Sequence, residues 1–390
     1  MISQYEIQDS ALSQISLALR QHEPPTGILP LLTPWLTPTQ IQEQLISHIN
    51  DKLNLSAGYK ESVWRSIIRY IDASSAPNDG SEKPEPCELL VELYAECMCA
   101  NMMKMAQNSR AALPTADAGV DTLVQYTSTP SSTFDSGLPP IQVNEQRNVF
   151  AQGGCTGHRT WEAGIALADF LLESVEVRAD SSCSKSSSTM ILRPGQFRHI
   201  IELGAGTGLV GLVATINLQP KKITLTDGDA GVIAALDKTI ILNEPLLAAS
   251  AREIQKLHPS LPRPEIVTRT LWWNQDKIDE NDATGLPDLI LAADVTYDPT
   301  IIEPLIKCID YVFNLVQTRA GGSGPHVLVS ATERSVITLA RFKTLCVENG
   351  FTYNVVRSYQ APILSNFFYF NASMSPKIII FELTKDTTQV

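Results

Sequence analysis

The run IELGAGTGLVG, from Ile201 to Gly211, places four glycines, Gly204, Gly206, Gly208 and Gly211, directly behind a short apolar segment. Glycine lets a strand turn sharply into a helix with bare backbone against a ligand. The spacing separates this loop from two phosphate-binding patterns. A dinucleotide fingerprint requires glycine at position 209, which is Leu209, and a P-loop requires a Gly-Lys-Ser/Thr run that is absent. The next strand-like segment ends at Asp227, 23 residues after Gly204. In doubly wound sheets an acid at this place accepts hydrogen bonds from ribose hydroxyls. Asp229 is a second candidate for that work; its other reading is capping of the following helix. Loop and acid together fit a nucleoside ligand without a required pyrophosphate, and S-adenosylmethionine has that character. The plain alternative is an α/β domain whose glycines serve packing alone.

The elements that must position these residues are legible on either side. HIIEL, KITLTD, EIVTRTL, DLILAAD and HVLVSAT read as strands. Between them fall helical stretches: LVGLVATIN, DAGVIAALDKTIILNE with Asp229 as N-cap, a segment from about Thr300 to Gln317, and ERSVITLARFKTLCVEN. TYNVVRSY and KIIIFELTK follow as two strands with no helix between them. The alternation predicts an α/β fold, a Rossmann-like doubly wound seven-stranded sheet with an antiparallel pair at its C-terminal edge. That edge pair, the glycine loop and the acid at Asp227 together point to a class I methyltransferase.

Upstream the pattern is different. Residues 1–105 read as a helical N-terminal region, in which TQIQEQLISHINDKL puts Ile41, Leu45, Ile46, Ile49 and Leu53 on one face. ESVWRSIIRYID and CELLVELYAECMCANMMKM show similar spacing, and the Met-rich end of the latter reads as core packing. Residues 106–140 read as a linker with short strands such as TLVQYTS, and 141–390 as the methyltransferase domain. TWEAGIALADFLLESVEV is an amphipathic helix, and ADSSCSKSSSTM is a low-complexity insertion.

Composition excludes several classes. The net charge of −12 and the absence of any basic run longer than Lys221-Lys222 argue against nucleic-acid or anionic-membrane binding. Seven cysteines without CxxC spacing suggest neither a disulfide framework nor a metal site. MISQYEIQDS lacks the basic and apolar regions of a signal peptide. The expectation is a soluble cytoplasmic protein, and the lack of coiled-coil heptads points to a monomer.

Three more stretches narrow the class: GGCTGHRTWEAG at 153–164, TLWWNQ at 270–275, and LILAADVTYDPTIIEPLI at 289–306, which holds Asp294-x-x-Tyr297. With the glycine loop they resemble the seven-strand protein-lysine methyltransferases that carry a DxxY motif. The likeness covers roughly residues 140–385. The helical extension resembles the subfamily that methylates a lysine of translation elongation factor 2. This resemblance implies that Trp161, Gly204, Ala205, Gly206, Asp227, Trp273 and Ala293 contact S-adenosylmethionine. Trp273 fits the family's Leu-x-Trp pattern, while its neighbour Trp272 remains an alternative. For these tryptophans the plain reading is core packing.

Asp294 and Tyr297 follow a strand end where the resemblance implies that the acceptor nitrogen arrives. Deprotonating a lysine of pKa about 10.4 at pH 7 costs roughly 4–5 kcal/mol. Burial and a nearby sulfonium lower that pKa, and a carboxylate raises it. Asp294 therefore reads as a docking and orienting group, and Tyr297 as an acceptor for an N–H and a wall of the pocket. The plain reading of Asp294 is a helix cap or turn residue. The alternatives in function are methylation of another protein or a small molecule, or a binding module that kept the fold. The resemblance favours addition of three methyl groups. The helical region is surplus to a small-molecule enzyme. Deleting residues 1–105 is therefore expected to lose methylation of a folded protein while cofactor affinity stays within a few fold, as read by transfer assay and calorimetry. A soluble, fully active truncation would end that idea.

Overall fold

The computed structural model describes residues 7, 9–36, 39–53, 55–74, 83–108, 121–126, 140–146, 156–175, 190–276, 278, 285–320, 324–360, 368 and 376–385. The chain divides into two units, Met1–Ala118 with Val124–Thr127, and Gly119–Leu123 with Ser128–Val390. Most of 106–140, residues 153–155 of the GGCTGHRTWEAG stretch and the Ser-rich stretch at 179–189 lie outside the described residues. No helix among the described residues is long and apolar enough to cross a membrane.

The first unit is helical: α1 (Asp9–Arg20), α2 (Pro25–Leu32), α3 (Thr39–Lys52), α4 (Ala57–Ala73) and α5 (Glu88–Asn108). The expected stripe of α3 is its buried face, with Ile41, Leu45, Ile46, Ile49 and Leu53 all sequestered. In α4 the buried set is Val63, Trp64, Ile67 and Ile71, spaced at three and four residues. Gln42 ties the approach to α5. Its Nε2 donates to the carbonyls of Leu36 (2.7 Å) and Glu85 (3.1 Å), and its Oε1 accepts from the N–H of Cys87 (3.1 Å). Met98, Met102 and Met103 at the Met-rich end of α5 are not core; the Met105 side chain lies outside the described residues. Met102 and Met103 are 67% and 66% exposed, and Met98 is exposed as well. The buried side of this helix runs through Leu90 and Cys97, and the helical rotation turns Met102 and Met103 away from it.

The second unit carries the sheet. Strands β1 (Asp121–Tyr126, which straddles the division between units) and β2 (Ile141–Gln146) lie outside it. Then come α6 (Glu162–Ser174), β3 (His199–Leu203), α7 (Leu209–Leu218), β4 (Lys222–Asp227), α8 (Ala230–Leu242), α9 (Glu244–Leu257), β5 (Glu265–Thr270) and β6 (Leu289–Ala293). The remainder is α10 (Pro299–Ala320), β7 (His326–Thr332), α11 (Val336–Glu348), β8 (Phe351–Tyr359) and β9 (Ile378–Lys385). The seven strands lie in the order β5-β4-β3-β6-β7-β9-β8. The first five are parallel, and β9 runs antiparallel to both β7 and β8. This is the expected doubly wound sheet with its antiparallel C-terminal pair.

Helices cover both faces of the parallel strands, so β3 is buried along its whole length and is apolar except for His199 and Glu202. Strand order reverses between β3 and β6, where Leu203 lies opposite Ala292. In such sheets the crevice beyond the carboxyl ends at this switch point receives ligands. Helix α8 begins as expected: Asp229 Oδ1 accepts from the N–H groups of Gly231 (2.6 Å) and Val232 (3.1 Å).

One side chain ties strand β2 to the end of α8. Asn243, at the end of α8, accepts from the N–H of Gln142 (2.8 Å) and donates to its carbonyl (2.6 Å) and to that of Thr239 (2.8 Å). Asn243→Ala removes the amide that pairs both half-buried backbone groups of Gln142. It is expected to cost about 1–3 kcal/mol in urea unfolding. Ile241→Ala, two residues away and 73% exposed, should change stability by less than about 0.5 kcal/mol.

Candidate active site

Beyond the carboxyl ends of β3, β4, β5 and β6 lies a cavity of about 800 Å³. It is lined by the candidate cofactor and acceptor residues Trp161, Gly204, Ala205, Gly206, Asp227, Trp273, Ala293, Asp294 and Tyr297, but not by Gly208 or Gly211 of the glycine run. Trp272 lines it too.

The floor is the glycine loop. Gly204 has φ +71°, and a Cβ there would stand 2.6 Å from Val295 Cγ1 and 3.6 Å from the Trp273 ring. Conformation and space both exclude a side chain at this point. The N–H of Ala205 donates to the Thr226 carbonyl (2.7 Å), which clamps the loop to β4. Asp227, at the end of β4, accepts from the N–H groups of Gly206 (3.1 Å) and Asp229 (3.2 Å). Burial pushes its carboxyl pKa up, against the pull of the bonds from Asp229 and Gly206.

Glu202 lies beneath the loop, 1% exposed, and also faces the cavity. Its Oε2 has no hydrogen-bond partner among the described residues. Burial pushes its pKa up to about 8; a bond from the Gly211 N–H opposes the shift, and the nearby Asp227 adds to it. A Cβ at Gly211 would come within 2.6 Å of that same oxygen, so this glycine makes room for the acid.

One wall comes from the segment before α6. Trp161 occupies the N-cap position of α6, and its indole N–H donates to the Thr156 carbonyl (3.0 Å). The guanidiniums of Arg159 and Arg334 stand 4.9 and 5.1 Å from the ring centroid. The N–H of Thr160 donates to Glu145 on β2 (3.3 Å), and its hydroxyl bonds to that of Thr207 in the glycine loop (2.7 Å). The opposite wall comes from the end of β5. Trp273 packs against the core, and its indole nitrogen is buried without a partner among the described residues. Trp272 is 52% exposed and stands over Gly228, beside Asp227. Both tryptophans thus face the cavity, Trp273 at the glycine loop and Trp272 at the rim.

At the far end Asp294 leaves β6 with φ +55°, and its N–H donates to the Ser330 carbonyl on β7 (2.9 Å). It is not the cap of α10, because Asp298 Oδ1 accepts the Thr300 N–H (2.8 Å). Both Asp294 oxygens are taken by one side chain: Arg334 Nη1 and Nη2 donate to Oδ1 and Oδ2, each at 2.8 Å. Nη2 also donates to Glu162 (3.2 Å). Sequence reasoning left this carboxylate open and missed Arg334. The available signal was a charged residue just past the end of a parallel strand near the switch point. Tyr297 is 46% exposed, with its hydroxyl 3.1 Å from that of Thr156 across the mouth.

The arrangement suits a ligand with an apolar body, ribose hydroxyls and a cationic end. Such a ligand would partner the orphaned Glu202 oxygen and the two-donor carboxylate of Asp227. S-adenosylmethionine has these groups.

Comparison with known proteins agrees with this geometry. A family model described as lysine methyltransferase matches residues 144–343, about half of the chain. Protein-lysine N-methyltransferase EFM3 of Saccharomyces cerevisiae is 27% identical over 297 residues, covering 74% of this chain and 71% of that protein. Protein-lysine N-methyltransferase EEF2KMT of Homo sapiens is 25% identical over 267 residues, covering 67% and 72%. Protein-lysine N-methyltransferase EFM6 of Saccharomyces cerevisiae is 32% identical over 168 residues, covering 41% and 58%.

The buried Glu202 generates a pH-dependent outcome. Its folded pKa lies above its unfolded value, so the unfolded chain ionises first and stability falls as pH rises from about 4.5 to 8. Without cofactor, the melting temperature of the parent should therefore drop relative to that of Glu202→Gln as pH rises from 5 to 8. Parallel melting curves across that range would refute a buried, ionisation-resistant acid.

Proposed function

The chain belongs to the lysine methyltransferase family, and on that premise we propose that it transfers the methyl group of S-adenosylmethionine to a lysine of translation elongation factor 2. One observation carries the catalytic half of this reading. The glycine loop, Asp227 and the Asp294–Tyr297 pair, far apart in sequence, open onto a single cavity at the switch point of the sheet. The likeness to EFM3 and EEF2KMT supports elongation factor 2 as the substrate. The same reading places the enzyme in the cytoplasm.

When bound, the cofactor supplies an electrophilic methyl on a sulfonium whose departure leaves a neutral thioether. The chain's own work is then to bind, orient and keep water out. Gly204, Ala205 and Gly206 offer bare backbone to the methionine half, and Glu202 offers a carboxylate to its ammonium. Asp227 holds the ribose hydroxyls. Trp272 and Trp273 flank the adenine, Trp161 closes the side, and Ala293 lies beneath the cofactor. Asp294 and Tyr297 face the incoming lysine at the mouth, where Asp294 orients the nitrogen and Tyr297 bounds its approach. No side chain at the mouth is needed as a strong base, since water can carry away the ammonium proton.

The reading is tested by incubating the purified protein and radiolabelled S-adenosylmethionine with extract from cells that lack it. Labelled bands are then identified by mass spectrometry. One labelled lysine on elongation factor 2 is expected. Asp294→Ala should lose the label while cofactor affinity stays within a few fold. Label on a different protein would remove elongation factor 2 from the reading. Equal collapse of cofactor binding in Asp294→Ala would undo the division between cofactor and acceptor residues.

A further inference from the structure

We propose that Arg334 is a positioning residue that balances the charge of Asp294, so that the acceptor lysine meets the methyl donor as the free amine; this rests on the functional reading above. Arg334 stands two residues beyond β7. Its guanidinium spans both oxygens of Asp294 at 2.8 Å, reaches Glu162 at 3.2 Å, and lies 5.1 Å from the centroid of the Trp161 ring. Side chains from the ends of β6 and β7 and from the start of α6 thus meet on one planar cation. A two-point bond of this kind is made by a guanidinium fork and not by an ammonium.

The need for it comes from the reaction. A lysine of pKa about 10.4 is protonated at neutral pH and has no lone pair to offer. A carboxylate beside the acceptor holds the proton on, and a cation loosens it. Among the described residues, the charged and titratable groups around the mouth are Arg159, Glu162, Asp294, Tyr297, Asp298 and Arg334. Two guanidiniums there face three carboxylates. Without Arg334, one guanidinium would face three, and Asp294, 8% exposed, would be left unpaired beside the amine. With Arg334 in place, Asp294 retains a lone pair to orient the amine and ceases to be its full counter-ion. The proton leaves to water first. The nitrogen lone pair then forms the N–C bond, while the electrons of the breaking S–C bond remain on sulfur.

The experiment measures the single-turnover rate of methyl transfer to purified elongation factor 2, at saturating acceptor, from pH 6.5 to 10. At saturation the pH midpoint reports groups in the bound complex. Arg334→Gln should move the midpoint up by about one unit, with a rate deficit of about tenfold at pH 7 that shrinks toward pH 10. Arg334→Lys keeps the charge and should hold the midpoint near that of the parent. Glu162→Gln removes a carboxylate from the same cluster and should move it down. Calorimetry with S-adenosylhomocysteine should find cofactor-site affinity within a few fold in each variant. If Arg334→Gln does not fold, Glu162→Gln decides by the direction of its shift. A loss that is uniform across pH in Arg334→Gln, an upward shift in Arg334→Lys equal to that of the glutamine variant, or an unmoved midpoint in Glu162→Gln overturns the proposal. A parent inert at every pH overturns the functional reading, and this inference with it. An active parent with unmoved midpoints overturns this inference alone.

Discussion

Two neighbouring parallel strands end in residues of left-handed backbone, Gly204 after β3 and Asp294 after β6. The rest of the site depends on how closely these two ends approach. Val295 fills the space that a Cβ on Gly204 would need, so the floor of the cavity is itself a packed contact. A non-glycine residue at positive φ is uncommon, and aspartate is among the few that tolerate it. The turn at Asp294 is held from two sides: by its N–H on the Ser330 carbonyl, and by its carboxylate on Arg334. The same turn that aims the aspartate at the mouth also seats Val295 under the glycine loop, coupling the mouth to the loop through one residue.

The two ends solve opposite electrostatic problems. At the glycine loop, Glu202 is buried and Asp227 half-buried, both with their carboxyl pKa values pushed up, and one Glu202 oxygen lacks a partner among the described residues. An acid in that condition gains from a cationic, hydrogen-bonding ligand, because the ligand restores what burial removed. At the mouth Asp294 and Glu162 already have guanidinium partners, so on the proposed reading an arriving ammonium finds less to hold its proton. On the proposed reading, a cation is thus favoured at the glycine loop, and a neutral amine at the mouth. A sulfonium compound and a deprotonated lysine are matched to those two environments.

Much of this was legible in the chain. The strands of the sheet and most of its helices follow from apolar runs and caps, because parallel strands buried on both faces leave little ambiguity. The loop, Asp227 and Asp294 were readable because each sits at or immediately beyond the end of a strand, where sequence position dictates spatial position. Helix α9 was not read, since it directly follows α8 with only Asn243 between them. Arg334 was missed because its meaning lies in pairs 40 and 172 residues distant, with Asp294 and Glu162. The methionines of α5 misled for a related reason. Their composition suggests a core, but the face they occupy is set by what packs against Leu90 and Cys97. Orientation about a helix is a tertiary fact wherever the apolar stripe is weak.

The rim of the cavity shows how positions remote from the sheet become part of its chemistry. Strand β2 belongs to no part of the seven-stranded sheet, yet Glu145 on it is fully buried and receives the Thr160 N–H. Thr160 in turn bonds to Thr207 in the glycine loop, and Asn243 anchors β2 to the end of α8. The segment that carries Trp161 is therefore tied at one end to the loop it faces and at the other to a helix behind that loop. A rim held this way keeps Trp161, and through it the two flanking guanidiniums, in fixed relation to the floor. Displacement transfers demand reacting atoms held within a few tenths of an ångström of the productive line. Hydrogen bonds from outside the sheet supply that constraint where the strand ends alone do not reach.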